Sequence, residues 1–125
     1  MFIINGDQSI FLTRGDIAVL EIGAKAANGE PYEFQVGDIV CLKVTNRKRC
    51  DQVVIQKSVT VTEASATVGI YLDSDDTRFG EVIHKPTDYW YEVELNPDTA
   101  PQTIIGYDSE GPKIFRLFPE GADRA

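Results

Sequence analysis

The chain has 125 residues, of which 42% are hydrophobic, so it has the size and apolar content of one ordinary globular domain. Its 12 basic and 20 acidic side chains give a net charge of −8. This balance repels phosphate backbones, so we expect no nucleic-acid partner.

Short runs of alternating apolar and polar residues recur along the chain and are separated by Gly, Asn, Asp and Pro. A period of two residues is typical of β-strands that bury one face. Short antiparallel strands at this spacing favour an all-β sandwich or barrel. The predicted strands are Ser9–Thr13, Asp16–Ile22, Tyr32–Gln35, Asp38–Thr45, Gln52–Thr60, Ala66–Leu72, Tyr89–Leu95, Gln102–Tyr107 and Lys113–Phe118.

Alternation also assigns side chains to an inner and an outer face of each strand. The residues predicted to face the core are Ala18, Leu20, Ile22, Val40, Leu42, Val44, Val68, Ile70, Leu72, Tyr89, Tyr91, Val93 and Leu95. The same rule places Trp90, Glu92 and Glu94 on the outer face. An outward Trp is a candidate partner contact, because its ring offers a large contact area with little side-chain entropy to lose.

Two Gly-Asp pairs each open a predicted strand: Gly15-Asp16 and Gly37-Asp38. Gly supplies a positive φ angle in a turn, and the Asp carboxylate can accept hydrogen bonds from nearby backbone N–H groups. We interpret all four residues as structural turns that fix where the strands begin.

One segment, Asp75–Ile83, has helical signals and is expected to form one or two turns. The acidic run at positions 73–76 could cap this helix or supply oxygen ligands to Ca²⁺. An EF-hand loop starting at Asp73 would need Gly at its sixth position and Glu at its twelfth, where the sequence has Arg78 and His84. Capping is therefore preferred, and no metal or other cofactor is predicted.

No set of residues suited to catalysis is evident. The single histidine, His84, lies beside Lys85 and Pro86 in a connection and has no adjacent Ser or Cys motif. Cys41 and Cys50 could meet across a hairpin, but a reducing cytoplasm favours two free, partly buried thiols. We therefore predict no catalytic residues and a protein that is not an enzyme.

Arg47, Lys48 and Arg49 form the one basic cluster. They could contact a carboxylate, a phosphate or an acidic partner surface. Alternatively, they form a solvated hairpin tip that discourages aggregation. The residue types alone leave both interpretations open.

The N-terminus lacks the basic start and apolar run of a signal peptide, which predicts synthesis in the cytoplasm. No run of about 18 apolar residues occurs, so no membrane partner is expected. We predict a single domain over residues 1–120 and a frayed tail over residues 121–125.

The order of landmarks along the chain resembles that of small phage and prophage proteins of Gram-positive gut bacteria. It is similar to the N-terminal domain of the upper baseplate proteins of siphophages, over nearly the whole chain. The landmarks are Leu12–Asp16, Tyr32–Asp38, Ile55–Lys57, Asp76-Thr77, Tyr89–Leu95 and Thr103–Ile105.

This resemblance implies an immunoglobulin-like β-sandwich that works in the virion as a tail or baseplate structural protein, without catalysis. Upper baseplate proteins continue into a long fibre-like region, and this sequence covers one domain, so an accessory or adaptor role is expected. The expected partners are other tail or baseplate proteins or further copies of the chain. A carbohydrate-binding module that recognises bacterial wall glycans through Trp90 and neighbouring tyrosines is the alternative, on the weaker ground of fold.

Overall fold

The computed structural model describes residues 2–4, 8–25, 29–46, 52–106 and 111–120. This part of the chain forms 11 β-strands and one short helix. They are β1 (Phe2–Ile4), β2 (Ile10–Thr13), β3 (Ala18–Ile22), β4 (Ala24–Lys25), β5 (Pro31–Tyr32), β6 (Ile39–Asn46), β7 (Val53–Thr60), β8 (Val68–Leu72), α1 (Ser74–Thr77), β9 (Thr87–Leu95), β10 (Gln102–Ile105) and β11 (Lys113–Phe118). The predicted tail, residues 121–125, lies outside the described residues.

Strand β9 is at the centre of a seven-stranded sheet. It pairs with β6 along one edge and with β11 and β10 along the other. The sheet continues from β6 to β7 and from β11 to β2 and β1. One pair, β2 with β11, is parallel, so the prediction of antiparallel pairing is wrong there. These two strands lie far apart in the sequence, and no hairpin connection fixes them antiparallel.

Strands β3 and β8 form a separate two-stranded antiparallel sheet, and β4 and β5 form a short hairpin. The buried side chains of the two-stranded and seven-stranded sheets belong to one hydrophobic cluster. The fold is therefore an all-β sandwich whose sheets face each other across a shared core. The strand order is β11–β9–β6–β7 within the larger sheet and β3–β8 in the smaller one.

The predicted core is confirmed at every position except Tyr89, which is half-buried. Its ring packs edge-on against Phe79 at 5.0 Å between centroids. Sequence reasoning missed other members of the core, which include Ile10, Leu12, Phe34, Ile55, Val61, Phe115 and Leu117.

Some predicted elements are wrong in extent. Strand β5 ends at Tyr32, and Phe34 instead makes an isolated bridge to Ser65. Helix α1 spans Ser74–Thr77 rather than Asp75–Ile83. It begins one residue before the predicted start because Asp73 is its N-cap. It ends at Thr77 because the backbone angles of Arg78 are not helical. Tyr107, the predicted end of β10, lies outside the described residues.

The turn between β2 and β3 is fixed by helix α1. Gly15 has a φ of +87°, and its N–H donates to the Thr77 hydroxyl at 3.0 Å. The hydroxyl donates in turn to the Asp16 carbonyl at 3.0 Å. Thr77 is completely buried, so one side chain joins the helix to this turn.

The turn before β6 is fixed by Asp38. Gly37 has a φ of +95°, and the Asp38 carboxylate accepts from the Gln35 N–H at 2.9 Å and from the Tyr32 hydroxyl at 2.8 Å. It also accepts from the Asn96 side-chain amide at 3.2 Å. The Gln35 N–H, followed by the two side-chain donors, holds the pKa of Asp38 below its usual value. These bonds tie the turn before β6 to the one after β9.

We expect Thr77→Val to destabilise the fold by about 1–3 kcal/mol, because the buried Gly15 N–H loses its acceptor while the volume of the side chain is kept. The free energy of unfolding in urea measures this loss. Thr62 is exposed, so Thr62→Val is the matched control and should stay within about 0.5 kcal/mol of the native chain. Equal stability of the two variants would contradict the role given to Thr77.

Candidate partner-binding surfaces

Trp90 lies on the outer face of the seven-stranded sheet, opposite Thr45 of β6 and Ile114 of β11. Its neighbours leave it half-buried. It separates a depression of about 180 Å³ from a larger one of about 570 Å³. The larger one is lined by Asn46 and residues 85–90. The aromatic surface that alternation predicted is therefore present, but only part of the ring can be reached.

Next to Trp90, the outer face is occupied by contacts within the chain. The Arg116 guanidinium donates to both oxygens of the Asp88 carboxylate, at 2.6 and 3.1 Å. It also lies over the Phe11 ring, 4.9 Å from the centroid. Phe11 in turn packs edge-on against Phe118 at 5.8 Å. These side chains already satisfy one another and need no partner.

Glu92 and Glu94 form a carboxyl pair on the same face of β9. Burial raises the pKa of Glu92, and a hydrogen bond and charge repulsion from Glu94 raise it further. The charge of Lys43, which lies directly opposite Glu92 on β6, lowers this pKa, with a smaller effect. The raised pKa means that ionising Glu92 is less favourable in the folded chain than in the unfolded one.

Arg47, Lys48 and Arg49, together with Cys50, lie outside the described residues, so the predicted basic contact is not placed. Cys41 is a free, buried thiol.

The acidic run at positions 73–76 lies at the start of α1, where Asp73 and Asp76 form a reciprocal capping box. Asp76 also pairs with Lys57 at 3.0 Å, and His84 is exposed in its loop. Within the described ranges, no group of three or more His, Cys, Asp or Glu side chains is arranged to hold a metal ion. Over the same ranges, no helix has the length and apolar character needed to cross a bilayer.

A surface that sequence reasoning missed lies on the outer face of the two-stranded sheet. We call Ile17, Val19 and Tyr71 the outer patch; they are 58%, 52% and 53% exposed. Val19 and Tyr71 are direct partners across β3 and β8. Nearby Gly69 carries no side chain that could cover Val19, since a Cβ there would lie 3.5 Å from Val19 Cγ1. The signal was available, because Ile17 and Val19 alternate out of phase with the core residues of β3.

A cleft lies beside β3 and β4, between these strands and β10. It consists of a cavity of about 620 Å³ and a second of about 180 Å³, both of which are lined by Gln8 and Gly23. The Gln8 backbone has a φ of +70°, and its carbonyl accepts a hydrogen bond from the Tyr91 hydroxyl. Leu95 and the half-buried Ile104 contribute apolar walls to the larger cavity.

No protein-family model, curated protein or solved structure matches this chain. The class that the coordinates define is an all-β sandwich with one short helix. Such a fold hosts many unrelated functions, so the function depends on the surfaces that this chain presents.

We expect Glu92→Gln to raise the thermal midpoint at neutral pH. The raised pKa means that Glu92 stabilises the fold fully only below its unfolded-state pKa, and that this contribution is lost as pH rises through the folded-state pKa. Gln resembles the protonated form, so the gain should shrink and disappear as the pH is lowered to about 4. Midpoints measured across this pH range give the test.

The matched control is Glu63→Gln, since Glu63 is exposed in the connection between β7 and β8. It should change the midpoint little at any pH. A lower midpoint for Glu92→Gln at pH 7 would show that the ionised Glu92 carboxylate does not destabilise the fold.

Proposed function

We propose that this chain is a non-catalytic structural or adaptor module of a phage tail or baseplate, which works by binding other proteins of the particle. The observation that carries the proposal is the outer patch. Its three large apolar side chains are each more than half exposed. Val19 and Tyr71 are direct partners across β3 and β8, and Ile17 immediately precedes β3.

Adjacency distinguishes the outer patch from ordinary surface residues. Single exposed apolar side chains are common on folded proteins, whereas contiguous ones mark interaction sites. Val19 and Tyr71 sit on regular strands, so their positions are fixed before a partner arrives. A rigid aromatic next to a β-branched side chain loses little entropy on binding, which favours a protein partner.

The assignment to a phage particle is supported by the order of sequence landmarks and by the all-β sandwich. In this proposal the chain is synthesised in the bacterial cytoplasm and becomes part of the virion. Its partners in this proposal are other tail and baseplate proteins, whose genes are expected beside its own.

Replacing Val19 and Tyr71 together by Thr should abolish co-purification with the products of the neighbouring genes. Thr keeps strand propensity while removing most of the apolar contact area. The matched control is Val53→Thr, because Val53 is also an exposed valine on a strand, at 42%, but lies on β7 away from the outer patch.

Each protein is co-expressed with the chain, and complexes are measured by size-exclusion chromatography with light scattering. The proposal predicts a complex with the native chain and the Val53→Thr variant, and loss of that complex with the double variant. A native chain that binds none of the neighbouring proteins would overturn the proposal.

Carbohydrate binding at Trp90 is a second candidate, favoured by the larger of the two depressions beside the ring. That depression combines an aromatic face with the Asn46 amide and the Thr87 hydroxyl. Such groups suit a neutral sugar, which stacks on aromatic rings and hydrogen-bonds to amides and hydroxyls.

For this candidate, Trp90→Ala should remove binding to bacterial wall glycans on an array, whereas Tyr71→Ala should keep it. The second variant is the control because Tyr71 is an exposed aromatic on the other sheet. An array on which the native chain binds no glycan excludes this function.

A further inference from the structure

We propose that two copies of this chain form a two-fold symmetric dimer by pairing the open edge of β3 and β4 with the same edge of the second copy, centred on Gly23. This inference deepens the proposed function, on which it rests, by naming one of the partners and its binding mode. It uses the backbone edge of β3 and β4, whereas the outer patch consists of side chains on the face of β3 and β8.

The edge from Ala18 to Lys25 is open on one side. Strand β3 pairs with β8 and β4 pairs with β5, and no other strand among the described residues pairs with either. Between them, the N–H and C=O groups of Gly23 make no backbone hydrogen bond to the described residues. Unpaired backbone groups on a strand edge are ready to pair with another strand.

Gly23 is not required by its own fold. Its φ lies outside the left-handed region, and an added Cβ would meet only the Ala66 carbonyl oxygen, at 3.8 Å. An alanine side chain would therefore fit there within one copy. Gly23 joins β3 to β4, and the lack of a side chain there leaves room for another backbone to approach closely.

The charges beside Gly23 make this edge complementary to itself. Glu21 and Lys25 are exposed, and neither makes an ion pair in the part of the chain that the structure describes. They lie two residues before and after Gly23, and strand alternation puts all three on one face. An antiparallel pair centred on Gly23 therefore sets Glu21 of each copy opposite Lys25 of the other.

The other face of the paired strands is apolar. In the same register, Ile22 of each copy lies opposite Ala24 of the other; Ile22 is buried and Ala24 is half-buried. On the two-fold axis, the Gly23 residues of the two copies exchange their N–H and C=O bonds. A self-complementary patch of this kind is the requirement for a closed two-fold dimer.

An in-register parallel arrangement is disfavoured by the same charges. It would place Glu21 beside Glu21 and Lys25 beside Lys25 of the two copies, and like charges directly opposite each other destabilise a sheet. Since pairing along one short edge buries a small area, the dimer should be weak and dependent on concentration.

Charge reversal tests both the edge and the register. Glu21→Lys alone, or Lys25→Glu alone, turns two attractive pairs per dimer into two repulsive ones and should weaken self-association by about ten-fold or more. The two variants mixed together should pair with each other, because the opposite charges then meet again. The double variant Glu21→Lys with Lys25→Glu should associate like the native chain.

Sedimentation equilibrium over a range of concentrations measures association, and hydrogen exchange locates it. The Gly23 amide should be protected in the native dimer and unprotected in either single variant. A chain that stays monomeric, single variants that associate like the native chain, or a mixture that forms no heterodimer would overturn the inference. Hydrogen-exchange protection that is confined to the outer patch would also overturn the inference of an edge dimer.

These failures are separate from failure of the tail-assembly proposal. Loss of the edge dimer while neighbouring proteins still bind the outer patch refutes only the inference. An edge dimer that binds no neighbouring protein refutes only the tail assembly.

Discussion

Pairing of strand β9 along both edges is the constraint on which this fold depends. One edge is paired with β6 and the other is shared by β11 and β10, so a single strand holds three others in register. Alternation then buries Tyr91, Val93 and Leu95 towards the second sheet. Each such side chain contributes on the order of 1.5–3 kcal/mol when it is fully buried.

The two layers of the sandwich are unequal, and this inequality decides where partners can bind. The seven-stranded sheet occupies much of its outer face with its own contacts, such as the Arg116–Asp88 pair and the ring of Phe11. The two-stranded sheet has no such cover over Val19 and Tyr71 and leaves one edge of β3 unpaired among the described residues. The surfaces proposed to bind protein partners therefore lie on or beside the smaller layer.

The sequence predicts those features that alternation controls. The buried faces of β3, β6 and β8 follow from a period of two residues, and each of these strands has at least five residues to display it. Strands β4 and β5 have two residues each, which is too few to show any period. Strand β1 and the parallel pairing of β2 with β11 depend on which segments meet in space, and local patterns do not carry that information.

The candidate surfaces were likewise predictable where they depend on alternation and not where they depend on strand pairing. The outer position of Trp90 was predictable, but its half-burial was not, because Thr45 and Ile114 reach it from neighbouring strands. The outer patch could have been found from Ile17 and Val19, whereas Tyr71 joins them only through the β3–β8 register. The open edge at Gly23 appears only once the partners of β3 and β4 are known.

A two-stranded sheet is marginal by itself and here depends on the layer beneath it. Any partner that pairs with β3 or covers Val19 binds the folded chain and not the unfolded one, so binding adds to the stability of the smaller layer. Open edges carry a risk of indiscriminate pairing, and charged side chains limit that risk. In the proposed dimer, a slip of two residues would leave Glu21 opposite Gly23 and Lys25 opposite Val19, with neither charge paired. The two charges that would hold the copies together would therefore also exclude the nearest wrong registers.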